Sequence, residues 1–277
     1  MKIEECIFRV ERRSAGGCLD LACAFTRKFL TPLATLTLIF AIPNCILCYW
    51  LASTMRDTLL LNVVVFGVFS MFFSGTLVAA VGPQVFGVPI SISNALLQVA
   101  KQFFKFGFWT TIYRLMLGVS GFCFMVPAFF LGPLYGHVAE ICFLEQGGFS
   151  KIMTRHHQLA SGAGFSRNLV NSLLLLGVWL VMLIAIFYSI DFVMGYFLNT
   201  PVFSGRLANS PDYANELGNL ISEDPKVMTC GVATLWLTFP LIRLAWFFAY
   251  LDQRIRNECW DIALQFQVEA SRLEESP

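Results

Sequence analysis

Charge is scarce in this sequence: only 13% of its 277 residues are Asp, Glu, Lys or Arg, while 57% are hydrophobic. Soluble domains carry about 25% charged residues, so the chain has about half the usual solvating charge. Its mean hydropathy of +0.67 agrees. The motifs of common enzymes are missing too. There is no Walker-type glycine loop, no G-x-S-x-G, no H-E-x-x-H and no paired-carboxylate motif in a polar segment, which removes the residues that nucleotide hydrolysis, serine hydrolysis and zinc proteolysis require. No catalytic residue is assigned. Histidine is limited to His137, His156 and His157. The adjacent pair has no Cys, Asp or Glu at ligand spacing, so it reads as a solvated cytoplasmic helix face rather than a metal site. Neither a cofactor nor a nucleic-acid partner is expected. No internal repeat or low-complexity stretch stands out, and the polar segments are too short to build a core unaided.

Cysteine is present but does not form a framework. Nine cysteines make an odd count, and none has metal-finger spacing with histidines. Cys45-Ile-Leu-Cys48 is formally a C-x-x-C, yet inside an apolar helix a free thiol packs as a small hydrophobe. No cleavable signal peptide is expected either. Lys2, Arg9, Arg12, Arg13, Arg27 and Lys28 precede a block long enough to span a bilayer, which reads as a retained anchor.

What the sequence has is long apolar blocks. A spanning helix needs about 20 mainly apolar residues, and the blocks predict six spans, at about 31–51, 59–81, 108–126, 129–144, 169–198 and 227–250. Pro43 lies within the first, and Tyr49 and Trp50 sit at its far end, where aromatic rings favour the interface. The pair over 108–144 has a tight joint at Pro127, and one bent span with a re-entrant piece is the alternative. Between spans two and three, Ile92, Leu96, Val99, Phe103 and Phe106 recur at helical spacing with Lys101 and Lys105 on another side, the pattern of an amphipathic surface helix. The fold class is therefore all-α: a polytopic transmembrane helical bundle forming one membrane domain, with short amphipathic cytoplasmic helices and a tail over 251–277.

Cations set the orientation. With the N-terminus inside, fifteen of the nineteen Lys and Arg residues fall on inner segments, against Arg56, Arg206 and Lys226 outside. Six spans keep both basic ends in the cytoplasm, whereas five would place the tail outside.

Ionisable groups inside spans are costly and need an account. Arg114, His137, Glu140 and Arg243 are the candidates for an intramembrane polar cluster. His137 and Glu140 lie about one helical turn apart and share a face. Glu140 is expected to pair with Arg243 or with Arg114, either as a structural ion pair or as the lining of a polar pathway.

The tail is the most patterned polar segment. As a helix it sets Asp252 against Arg256 and Arg254 against Glu258 at i,i+4, with an apolar stripe at Ile255, Cys259, Ile262, Phe266, Ala270 and Leu273. Alternation at Ile262, Leu264, Phe266 and Val268 leaves a strand open there. Gly147-Gly148 and Gly162-Ala163-Gly164 read as turns at helix ends.

Two segments carry a resemblance. Arg155, Leu159 and Gly162, following Glu145 and Gly147, match an R-S-x-x-L-x-x-G helix with His156 in place of Ser. Tyr250, Asp252, Arg254, Arg256, Glu258 and Asp261 match Y-x-D-x-R-x-R-x-E-G-x-D with Cys259 in place of Gly. Both motifs, and the span layout, resemble bacterial six-span membrane proteins akin to the membrane domain fused to some glycerophosphodiester phosphodiesterases. The resemblance implies an inner-membrane location and no catalytic domain; it supplies no substrate. Two function classes remain. One is a non-enzymatic component whose 145–167 loop and tail engage membrane or cytoplasmic proteins. The other is a transporter or lipid-handling protein with a polar site near mid-membrane.

Overall fold

The computed structural model describes residues 12–55, 57–85, 89–122, 126–145, 151–160, 163–198, 202–208, 210 and 212–258. Among them there are twelve α-helices and no strand. The chain opens with α1 (Ala15–Lys28), capped by the Ser14 hydroxyl accepting from the Gly17 N–H. The long α2 (Leu30–Thr54) runs on through Pro43, and α3 (Leu59–Val85) follows. Next come α4 (Ile92–Lys101), α5 (Phe103–Phe122), α6 (Val126–Tyr135), α7 (Val138–Leu144) and α8 (Lys151–Ala160). Then α9 (Ala163–Leu198), α10 (Ser204–Ala208), α11 (Tyr213–Ser222) and α12 (Pro225–Glu258) complete the fold.

Among the described residues, five segments are long and apolar enough to cross a membrane: Leu30–Thr54, Leu59–Val85, Pro127–Leu144, Gly164–Phe197 and Pro225–Asn257. The chain is an all-α membrane protein. Of the span expected at 108–126, residues 123–125 lie outside the described residues; α5 covers the part to Phe122 and begins earlier, at Phe103. The span expected at 129–144 is a pair of short helices, α6 and α7, broken at Gly136–His137. Most of α9 is bare: only 6% of its most apolar window is buried, and Leu180, Val181, Ile184 and Phe192 point outward. Such a helix needs lipid or another chain around it, since water would oppose so large an apolar surface.

The amphipathic helix expected over 90–106 is interrupted at Gln102, between α4 and α5. Its packed residues are Ala95, Val99 and Phe106, while Leu96 and Phe103 are exposed. In a membrane protein apolar character alone does not mark the inward face, because lipid is as apolar as the helix interior. Residues 199–226, expected as a loop, include α10 and α11. The first residues of the expected tail simply extend α12 to Glu258, and the stripe or strand beyond it lies outside the described residues.

Two compact units can be distinguished. One comprises Met1–Pro32, Ser74–Leu175 and Leu241–Pro277; the other comprises Leu33–Phe73 and Leu176–Pro240. The core of the second is aromatic. Trp236 is fully buried, with Phe40 stacked on it at 6.5 Å and Phe66 and Phe73 edge-on at 5.6 and 5.3 Å. Its indole N–H donates to Asn44 Oδ1 at 2.7 Å, so the polar atom of the tryptophan is satisfied inside an apolar core. At one edge, Asp191 accepts from the N–H groups of Val202, Phe203 and Ser204 at 2.8–3.0 Å. That fixes the start of α10 over a cluster of Val202, Phe203, Leu220 and Val227.

In the first unit, α5 packs on α6 and α7, and α8 on the same pair. α3 approaches closely at Gly75, where a Cβ would stand 2.8 Å from the Phe106 ring and 3.0 Å from Phe143. α1 lays its Cys18, Ala22 and Phe25 stripe inward, with Phe25 edge-on to Phe248 at 5.8 Å. Burial pushes the Cys18 thiol up to about 11, which leaves it protonated and unreactive.

Candidate functional site: a buried ion pair and a carboxylate hub

The break between α6 and α7 builds the first part of the site. Trp246 of α12 lies where a side chain on Gly136 would be: a Cβ there would stand 2.5 Å from its ring. The Trp246 N–H donates to the Gly136 carbonyl at 2.9 Å, replacing a helical bond lost at the break. His137 follows as the N-cap of α7 without a side-chain cap bond. Its ring stacks on Trp246 with centroids 4.7 Å apart and tilts against Tyr250 at 5.3 Å.

One turn on, Glu140 is fully buried and accepts from Arg243 Nη1 at 2.6 Å. Of the two partners the sequence allows, the structure pairs Glu140 with Arg243. Arg114 acts electrostatically with Tyr113 and Arg243 from α5. Arg243, Trp246 and Tyr250 recur at i, i+3 and i+7, so one face of α12 meets Glu140, Gly136 and His137 in turn. Removing one member of such a buried pair costs about 3–5 kcal/mol, because the other charge is left uncompensated.

The second part is centred on Glu145, at the end of α7. Tyr250 donates its hydroxyl to Oε1 at 2.6 Å, and Arg155 Nε donates to Oε2 at 2.7 Å. Arg254 Nε stands 3.7 Å from Oε1, with its guanidinium 6.0 Å over the Tyr250 ring. A neighbouring knot holds the N-terminal segment. Asp252 accepts from the Arg13 N–H at 2.7 Å and from Arg256 Nε at 2.8 Å, and Arg256 Nη2 donates to the Arg13 carbonyl at 2.8 Å. Gln253 donates to the carbonyl of buried Leu159. Asn168 donates to the Pro133 carbonyl at 3.1 Å, tying α9 to α6.

Arg155, Tyr250 and Arg254 thus converge on one carboxylate, and Asp252 with Arg256 forms the i,i+4 pair anticipated from the sequence. Leu159 is a packed residue beside them. Gly162, Asp261 and the side chain of Glu258 lie outside the described residues; Gly164 opens the first turns of α9. Sequence reasoning missed Gly136, Trp246, Asn168 and Gln253, and named Glu145 only as part of a turn. It also misplaced His156. That residue is buried, not solvated, and packs edge-on to Tyr135 at 5.6 Å; His157 is the exposed one. Burial and neighbouring His137 push the His156 imidazole down to about 4, against Glu140 and a hydrogen bond to the Leu134 carbonyl.

Among the described residues, no three His, Cys, Asp or Glu side chains are grouped to hold a metal ion. An open depression of about 500 Å³ in the second unit is lined by Tyr188, Asp191, Phe192 and Ser204. The Asp191 oxygens in it already hold backbone N–H groups. Comparison with known proteins finds no family model, no curated protein and no solved structure that matches this chain.

Proposed function

We propose that this chain is a six-span protein of a bacterial inner membrane with both ends in the cytoplasm. It acts as a non-enzymatic scaffold or accessory component of a membrane complex, akin to the phosphodiesterase-associated membrane proteins that its motifs resemble. The sixth span in this reading is α5, which is 20 residues long and carries Arg114 at a depth from which it can snorkel. The inner-side excess of Lys and Arg supports the orientation.

The observation that carries the docking role is Glu145. One carboxylate accepts from Arg155 of α8 and Tyr250 of α12, so the two patterned segments form one preassembled surface. Preassembly lowers the ordering cost of binding. Exposed Met153, His157 and Gln158 of α8 then face a partner. A photo-crosslinker at Gln158 is expected to capture a discrete protein in native membranes, and Glu145→Ala to abolish that capture. Capture equal to that from a lipid-facing control at Leu180, or unaffected by Glu145→Ala, overturns the role. Separately, Asn257→Cys in a cysteine-free background is expected to react with an impermeant maleimide only after cells are opened.

A second reading, a transporter or lipid-handling protein, is favoured by the buried Glu140–Arg243 pair with His137 beside it. Loss of a transported solute's uptake in Glu140→Gln, with Gln158 crosslinking intact, would place this reading first.

A further inference from the structure

Four buried polar atoms at the α6–α7 break and on α8 lack a well-formed hydrogen bond: Glu140 Oε2, His156 Nε2 and the two His137 nitrogens, which the Asn168 side chain approaches. Buried side-chain polar atoms are satisfied in the large majority of cases, and each exception needs a cause. These four lie in one neighbourhood, since Glu140 acts electrostatically on both His137 and His156, and His137 acts on His156. The other groups facing them are known. Arg243 is occupied on Glu140 Oε1, the Tyr250 hydroxyl on Glu145, and the Asn168 amide on Pro133. Arg114 and Tyr113 approach Arg243 from the α5 side.

Donor and acceptor accounting then narrows the chemistry. His156 shares a hydrogen bond with the Leu134 carbonyl, and a carbonyl only accepts, so Nδ1 carries the proton and Nε2 presents a lone pair. An ionised Glu140 Oε2 also only accepts. Neutral His137 offers one donor and one acceptor. The neighbourhood therefore holds three acceptors and a single donor, and its members cannot satisfy one another. At least two hydrogen-bond donors beyond these three side chains are needed. One water supplies two, and buried waters commonly bridge about three such groups.

We propose that His137, Glu140 and His156 line an acceptor-rich, hydrated site within the first unit that binds water. The site does not depend on the docking role.

Hydroxyl-radical footprinting of the whole protein in lipid nanodiscs tests this, because radiolysis of a bound water labels the side chains beside it. Tyr250, which touches His137, is expected to be modified several-fold faster than Trp236. Trp236 is as buried as Tyr250, and its indole N–H is bonded to Asn44. An indole is the more reactive ring, so the comparison for Tyr250 is biased against the proposal. The labelling is expected to survive a radical scavenger in the bulk. His137→Phe keeps a ring on Trp246, removes both nitrogens, and is expected to bring labelling down to the Trp236 level. Labelling of Tyr250 no faster than Trp236, or erased by the scavenger, overturns the site. Both of those readouts use the unsubstituted protein, so a folding failure in the variant does not protect the proposal.

Discussion

Replacing Glu140 with Leu removes the carboxylate bonded to Arg243, and the consequence can be worked from the geometry. Glu140 has no exposed surface, and Arg243 is 8% exposed. Their bond of 2.6 Å therefore lies where solvent cannot take over. The single variant is expected to lose about 3–5 kcal/mol, the range for stranding one member of a buried pair. At roughly 2–4 °C per kcal/mol for a chain of this size, the midpoint falls on the order of 10 °C. Arg243→Met alone strands Glu140 instead and should cost a similar amount. The double variant Glu140→Leu/Arg243→Met leaves no unpaired charge and should recover most of the loss, because apolar residues of similar volume often replace buried pairs with little penalty. Thermal unfolding of all four proteins in one detergent completes the cycle. A double variant that is no more stable than either single one refutes the argument, since the two side chains would then not be each other's compensation.

Three further outcomes follow from the same site. Tyr250→Phe removes a hydroxyl bonded to a charged oxygen and should cost about 1.5–3 kcal/mol; hydrogen exchange in α8 should quicken as Glu145 loosens. Gly136→Ala puts a methyl group against the Trp246 ring and should destabilise by about 1–3 kcal/mol, with a change in tryptophan emission; wild-type emission and stability would refute the close approach. His156 binds protons more weakly when folded than when unfolded, so the stability it confers is complete above its unfolded value near 6.5 and is lost as pH falls towards about 4. Full loss amounts to about 3 kcal/mol. His156→Leu should flatten that part of the pH–stability curve, and an unchanged slope between pH 6.5 and 4 would show that His156 is not buried neutral.

Legibility followed the range of the interactions. The predicted blocks at 31–51, 59–81, 169–198 and 227–250 each lie within a single helix, α2, α3, α9 and α12, because apolar length is a local property. The ends were less legible. α12 continues past its apolar block, since the Asp252–Arg256 pair carries helix into the polar segment. The break at Gly136 was hidden, for it is completed by Trp246 from 110 residues away. His156 was read as solvated because polarity alone argued for water; its place on the Ile152, His156, Leu159 stripe of α8 was the available signal. Glu145 was inconspicuous for the same reason as Gly136. Its partners lie 10 and 105 residues distant, and no local pattern points to them.

The placement of these groups on α12 has a mechanical consequence. Arg243, Trp246, Tyr250 and Arg254 occupy positions i, i+3, i+7 and i+11 of one helix, and each addresses a different part of the 136–145 segment. Turning α12 by one residue rotates its face by about 100°, which would break the Glu140, Gly136 and Glu145 contacts together. An apolar seam would not impose that penalty, because in lipid one greasy face packs much like another. Buried polar pairs are best attested as devices that fix register. Here the polar contacts hold α12 in the one rotation that delivers Tyr250 and Arg254 to Glu145. The interior ion pair and the patterned surface are therefore parts of one arrangement, and a substitution at Glu140 should loosen α8 without touching it.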